Sequence, residues 1–162
     1  MSRFSSIRWR PALLWGLAVL VLGNLGVLAY AAWPSSAEAP PLGQPPLASS
    51  RLVLVVHGLG DSADAWPSKV TGAMSAARPS EQGWLLHAYD WNPHSRNALR
   101  AASHARAIGA ALGRQLAAST ELEELHLVAH SVGSFLIHAL CQSLRESVAG
   151  QSGRVAPQIH AT

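Results

Sequence analysis

Hydrophobic positions change their spacing repeatedly along the last two thirds of the chain, from compact apolar runs to stripes that recur every three or four residues. The runs predict strands and the stripes predict helices. Strands are predicted over residues 51–56, 83–91, 125–129 and 155–161, and helices over 70–77, 97–118 and 133–146. Because the two alternate, the pattern predicts an α/β domain with a doubly wound, mostly parallel sheet and flanking helices.

Two of these elements carry a more specific expectation. The strand over 51–56 is apolar and rich in β-branched residues after its first position, which is typical of a central parallel strand covered on both faces. In the helix over 97–118, Ala105, Gly109 and Gly113 form a ridge of small residues. Since each glycine costs about 1 kcal/mol in a helix interior, we expect this ridge to serve a close approach of the helix to the sheet.

A serine lies at the turn between the third predicted strand and the following helix. Residues 129–133 have the sequence A-H-S-V-G, with Ser131 at the centre. A serine on such a sharp turn exposes its hydroxyl above the sheet, and the positions two before and two after must be small because the strand and helix backbones nearly touch. Ala129 and Gly133 meet this requirement. The first strand ends in a second short loop, H-G-L-G at 57–60.

Together the two loops resemble the α/β-hydrolase family, most closely its lipase-type members, over about 110 residues of the chain. Residues 90–92, D-W-N after the second strand, add to the likeness. The resemblance implies that Ser131 is the nucleophile and that the backbone N–H groups of Leu59 and Val132 are the oxyanion-hole donors. Four neighbouring residues would support these groups: His57, Gly58, His130 and Gly133. We expect His57 to brace the first loop and His130 to pack beside the serine.

The resemblance also implies a reaction, the hydrolysis of carboxylic esters. The mechanism needs a base to accept the hydroxyl proton and a carboxylate to orient that base, and both follow the serine in this family. After Ser131 the sequence offers Glu146, His138 and His160, and none of them is expected to reach the hydroxyl. The sequence therefore predicts the N-terminal part of a serine hydrolase, truncated before the acid and the base of its triad.

Other functions share the same residues. A membrane-tethered pseudo-hydrolase would bind an acyl ligand or a protein partner without turnover. A thioesterase or an amidase would use the same serine and the same loops. Trp66, just before the first helix of the domain, could line the mouth of an acyl pocket, although packing of that helix onto the sheet is the simpler expectation.

The first 33 residues form an apolar segment led by three arginines. About twenty uncharged, mostly apolar residues follow the arginines, which is enough for a helix to cross a hydrocarbon core of ~30 Å. The positive-inside rule then leaves the N-terminus in the cytoplasm and exports the domain to the periplasm or the extracellular space. We expect a membrane anchor. Its alternative is a cleaved signal peptide and a secreted domain, because small residues occur at the spacing required for cleavage at 29–31 and 35–37. A membrane setting favours lipid or acyl esters as substrates.

Residues 34–50 contain five prolines among serine, alanine and glycine, which predicts a semi-extended linker. The folded, truncated hydrolase-like domain is therefore expected over 51–162.

Charge and composition exclude several classes of function. The net charge of +3 comes from the three N-terminal arginines, because the remaining nine basic residues balance nine acidic ones. Nucleic-acid binding, which needs a clustered basic face, is therefore not expected. The single cysteine, Cys141, cannot form an internal disulfide and is expected to be a small buried residue. His126 and His130 have no carboxylate or cysteine partner in the pattern, so we expect no metal site, and no cofactor.

Overall fold

The computed structural model describes residues 9–42, 49–77 and 83–162. The chain divides into two compact units, Met1–Trp33 and Pro34–Thr162.

In the first unit the described residues, 9–33, form one helix, α1, over Trp9–Ala32. Its stretch Pro11–Ala32 has a mean hydropathy of 2.2, and none of it is buried. Asn24, the polar interruption, donates from its side-chain amide to the Leu20 carbonyl oxygen at 2.8 Å, so one of its polar groups is satisfied within the helix. By length and composition α1 could cross a membrane, and a signal sequence has the same properties.

The second unit confirms the predicted alternation of strands and helices. One short helix, α3, was not predicted, because the asparagine and proline at its start indicated a stop; a proline in the first turn of a helix is in fact favourable. The elements are β1 (Arg51–Val56), α2 (Pro67–Ala77), β2 (Trp84–Tyr89), α3 (Asn92–Ser95), α4 (Ala101–Ala117), β3 (Glu124–Ala129), α5 (Gly133–Ala149) and β4 (Gln158–Ala161).

The four strands form one sheet in the order β2-β1-β3-β4, and every neighbouring pair is parallel. The strand β1 lies in the middle, where Val53 is paired with Leu86 of β2 and with His126 of β3. Positions 52–56 are completely buried. The expectation of a central parallel strand covered on both faces is therefore confirmed.

One face of the sheet packs against α4 and α5. Leu52 and Leu54 of β1 join Leu127 of β3 and apolar residues of both helices in a single hydrophobic core. The opposite face carries α2, which contacts β1 and β2. The apolar stripe predicted for α2 is only partly buried, because Ala73 and Ala77 are exposed.

The small-residue ridge of α4 contacts α5 rather than the sheet, which corrects the prediction made from the sequence. A Cβ added to Gly109 would lie 2.1 Å from the Leu136 carbonyl oxygen, and one added to Gly113 would lie 2.5 Å from that of Leu140. Both neighbours belong to α5. The two helices therefore touch through their backbones at these glycines.

Residues 34–42, which we call the strap, pack on the domain although their composition predicts an unpacked linker. Leu42 is 2% exposed and belongs to the core, and Ala37 and Ala39 pack against it. The hydroxyl of Tyr89 donates to the Pro40 carbonyl oxygen at 2.9 Å. The strap packs on the domain because its apolar side chains join the core and the Pro40 carbonyl group has a hydrogen-bond donor, contacts that its proline content does not reveal.

Candidate functional site

The order of the strands creates a crevice at the carboxyl edge of the sheet. The chain passes from β1 to β2 on one side, then crosses to β3 on the other side of β1 and continues outward to β4. The loops that follow β1 and β3 therefore lead away from each other, and in open parallel sheets ligands bind at such a switch point. The loop at 57–60 follows β1, and Ser131 lies in the turn after β3.

Ser131 occupies a strained backbone conformation. Its φ angle is 54°, and it is the one non-glycine residue with a positive φ in the ranges that the structure describes. An L residue pays about 1–2 kcal/mol for this left-handed conformation. The sharp turn brings the chain from β3 directly into α5 and leaves Ser131 exposed. This is the geometry expected of a serine held above a sheet on a strand-to-helix turn.

Two glycines let the two loops approach each other. A Cβ on Gly133 would lie 2.6 Å from the His57 carbonyl oxygen, well inside van der Waals contact. A Cβ on Gly58 would lie 3.2 Å from the His130 carbonyl oxygen and 3.3 Å from the Ser131 Cβ. The loop after β1 therefore lies directly against the serine turn, as the predicted site requires.

At this edge the backbone N–H groups of Leu59 and Val132 donate no hydrogen bond to any part of the chain that the structure describes, and neither do those of Gly58 and Ser131, which precede them. The N–H groups that follow them are engaged, since the Gly60 N–H donates to the Ser95 carbonyl oxygen at 3.1 Å and the Gly133 N–H to that of His130 at 3.0 Å. Unpaired N–H donors beside an exposed hydroxyl are suited to stabilise a developing oxyanion.

His57 is completely buried and braces the loop after β1. Its Nδ1–H donates to the Gly58 carbonyl oxygen at 2.9 Å, and its Nε2 lies 3.0 Å from Asp90 Oδ1 and 3.1 Å from the Trp91 backbone nitrogen. The Trp91 ring stacks on the imidazole at 5.6 Å and donates from its indole nitrogen to the His57 carbonyl oxygen at 2.9 Å. With both ring nitrogens engaged, His57 has no lone pair available for a neighbouring hydroxyl.

The anchoring of this loop by the segment after β2 was not predicted from the sequence. The Asn92 side-chain amide donates to the Asp61 carbonyl oxygen at 2.6 Å, and Asp90 Oδ1 accepts from the Asn92 backbone N–H at 2.8 Å. A signal was present, because Asp90 and His57 each follow the end of one of two adjacent parallel strands. The sequence alone, however, does not show that those two strands are neighbours in the sheet.

No histidine of the described residues is hydrogen-bonded to the Ser131 hydroxyl. The His130 ring lies edge-on against Trp66, with 6.3 Å between the ring centroids. His138 is exposed about two turns along α5. His160 lies within β4, paired in register with His126. The structure thus joins the two loops and the serine but places no histidine in the role of the general base among the residues described.

An apolar cleft of about 500 Å³ opens beside the serine turn. Its walls include Trp66, Val128 and His130, together with Asp61 at the loop after β1 and Thr162. The Trp66 indole nitrogen is buried and has no hydrogen-bond partner among the described residues. Trp66 therefore lines a cavity just before α2. That this cavity accepts an acyl chain stays a prediction, as does packing of α2 onto the sheet through Trp66.

Within the described ranges no group of three histidine, cysteine or carboxylate side chains could hold a metal ion. Cys141 is half-buried, and burial raises the pKa of its thiol, which disfavours the reactive thiolate. Comparisons of the chain with family models, with curated proteins and with solved structures found no match.

Proposed function

We propose that the domain is a serine-hydrolase scaffold of the α/β-hydrolase type. The Ser131 hydroxyl attacks the carbonyl carbon of a carboxylic ester, gives its proton to a general base that the described residues do not supply, and displaces the alcohol of the ester. The N–H groups of Leu59 and Val132 stabilise the negative charge on the carbonyl oxygen. His57 and Gly58 hold the first donor in place, and the apolar cleft beside Trp66 accepts the acyl chain.

The left-handed backbone of Ser131, at φ 54°, is the observation that carries this proposal. Strain of this kind persists only where the surrounding structure enforces it, and it concentrates at functional sites. Here it coincides with a switch point of the sheet, an exposed serine and unpaired N–H donors in both loops. A serine with a purely structural role would need none of these features.

We further propose that α1 anchors the domain to a membrane and that the domain is exported. The support is the apolar helix itself and the arginines that precede it in the sequence. A membrane setting and the apolar cleft together favour lipid or acyl esters as substrates.

Covalent labelling of the full-length protein with an alkyl fluorophosphonate tests the nucleophile. We expect labelling at Ser131, identified by peptide mass spectrometry, and its loss in Ser131→Ala. Ser134→Ala is the matched control, because Ser134 is exposed in the first turn of α5 and should not react. Labelling that survives Ser131→Ala, or that is no faster at Ser131 than at Ser134, would refute the assignment.

A second candidate is a pseudo-hydrolase that binds an acyl ligand without turnover. The observation in its favour is that both ring nitrogens of His57 are engaged and no other described histidine takes the place of the base. Turnover of 4-nitrophenyl esters separates the two functions. Hydrolysis that Ser131→Ala abolishes supports the enzyme, and labelling of Ser131 with no hydrolysis above background supports the binding protein.

A further inference from the structure

The large apolar side chains that the second unit exposes are concentrated at one edge of the sheet. Among its described residues they are Leu59, Leu99, Phe135 and Val155. The first three lie on the segments that follow β1, β2 and β3, and the carboxyl ends of these parallel strands meet at one edge. We call Leu59, Leu99 and Phe135 the apolar rim. Val155 lies between α5 and β4, at the opposite edge.

The apolar rim adjoins the serine turn. Leu59 follows Gly58, on which a Cβ would lie 3.3 Å from the Ser131 Cβ. Phe135 lies one turn further along the chain from Ser131, and its N–H donates to the Val132 carbonyl oxygen at 3.1 Å. Single exposed apolar residues scattered over a surface need no explanation, whereas a group gathered beside a cleft indicates an interaction surface.

Arg106 lies beside the rim and adds a charge to it. Its guanidinium carbon is 4.7 Å from the centre of the Phe135 ring, and it lies in the second turn of α4, whereas Leu99 lies just before that helix. Arg106 is exposed and forms no ion pair with a carboxylate of the described residues. An arginine of this kind can keep its charge among lipid phosphates while its stem and the neighbouring ring contact apolar groups.

The chain enters the second unit at the same edge. The carbonyl oxygen of Pro34, the first residue of this unit, accepts a hydrogen bond from Arg100 Nη2 at 3.2 Å. The Ser35 hydroxyl lies 2.6 Å from His104 Nδ1, in the first turn of α4. Because α1 ends at Ala32 and an extended chain gains at most about 3.6 Å per residue, a membrane crossed by α1 is within short reach of this edge.

We propose that the apolar rim is a membrane-docking surface, which holds the carboxyl edge of the sheet against a phospholipid bilayer. The proposal rests on the anchoring role proposed for α1 and is independent of whether Ser131 reacts. The three rim side chains enter the boundary between headgroups and acyl chains, where burial of apolar surface provides the binding energy. A lipid then reaches the cleft beside Ser131 directly from the bilayer.

Net charge does not drive this docking. Three arginines near the edge balance three aspartates: Arg96, Arg100 and Arg106 against Asp61, Asp64 and Asp90. We therefore expect a bilayer of zwitterionic phosphatidylcholine to be sufficient.

The depth of a nitroxide label in phosphatidylcholine nanodiscs tests the proposal. The full-length protein carries Cys141→Ser and one new labelling site, Ala98→Cys beside Leu99 or Val155→Cys at the opposite edge, and each nanodisc holds one copy. Oxygen concentrates among the acyl chains and a neutral nickel chelate stays in water, so the ratio of their collision rates with the label reports its depth. We expect this ratio to be roughly fivefold higher at position 98 than at position 155.

Two variants of the protein labelled at position 98 assign the docking to the rim. Phe135→Ser removes one of three large apolar side chains from the interface, so the ratio of docked to undocked protein, resolved in the spectrum of the label, should fall about tenfold. Val155→Ser is the matched control, because it removes an exposed apolar side chain from the opposite edge, and it should leave the ratio unchanged. Equal ratios in the two variants would contradict the proposal.

A label in α1, introduced by Leu20→Cys, separates failure of the docking from failure of the anchor. If position 20 lies in the bilayer and position 98 is as accessible to the nickel chelate as position 155, the docking proposal is overturned and the anchor stands. If position 20 stays in water, the anchor is refuted and the docking proposal with it. Shielding of position 98 that appears in detergent micelles only as the protein concentration rises would assign the rim to a contact between two copies, which also overturns the proposal.

Discussion

Gly109→Ala should destabilise the domain, although alanine is the better helix former. The added Cβ would lie 2.1 Å from the carbonyl oxygen of Leu136, 2.9 Å from its carbonyl carbon and 3.1 Å from its Cα. Ordinary contact begins at 3.4 Å. Because these are backbone atoms of α5, no side-chain rotation relieves the overlap, and the two helices must separate by more than 1 Å.

The expected magnitude combines two opposing terms. Overpacking of this kind costs typically about 1–3 kcal/mol, and a backbone contact belongs at the upper end. Alanine returns about 1 kcal/mol of helix propensity. We therefore expect the free energy of unfolding to fall by about 2 kcal/mol. Since α5 begins two residues after Ser131, labelling of Ser131 should slow as well.

Gly72→Ala is the matched control. Gly72 lies inside α2, and a Cβ there meets nothing within 4 Å, so the same substitution should stabilise the domain by about 0.5–1 kcal/mol. Urea unfolding of the full-length protein in detergent, followed by circular dichroism, compares the two variants. Free energies of unfolding that agree within about 0.5 kcal/mol would show that α4 and α5 do not touch through Gly109.

Three further changes test other contacts. Gly133→Ala should lower the rate of serine labelling, measured with the fluorophosphonate, because its Cβ would lie 2.6 Å from the His57 carbonyl oxygen. Tyr89→Phe should cost about 1 kcal/mol in urea unfolding by removing the bond to the Pro40 carbonyl oxygen. Burial lowers the pKa of His87. Below about pH 6.5 the unfolded state therefore binds more protons than the folded state, and the free energy of unfolding falls as the pH is lowered. In His87→Gln the free energy of unfolding, measured in urea, should depend less on pH below that value.

The sequence was a good guide to the elements and to which strand lies in the middle. A strand buried on both faces must be apolar along its buried part, and residues 52–56 are. The turn at Ser131 was also predictable, because the need for small residues on both sides leaves a short local signature. Its role as a nucleophile stays a prediction.

The partners of each element were harder to predict. Gly109 and Gly113 indicate a close approach, but a stripe on a helix does not say whether a sheet or another helix lies against it. The strap illustrates a second limit. Its prolines predict a semi-extended linker, while the burial of Leu42 depends on tertiary contacts that composition does not encode.

The order of the strands also determines how the domain can fold. Each pairing in the sheet joins strands separated by at least one helix, and the central pair, β1 with β3, encloses α2, β2, α3 and α4. The contact of α4 with α5, by comparison, needs closure of a much shorter segment. Contacts between distant parts of a chain are slow to form. We therefore expect α4 and α5 to pack together early, and β1 to be the last strand to gain neighbours on both sides. Until then the apolar β1 has an unpaired edge, which makes it the segment of this domain most exposed to aggregation.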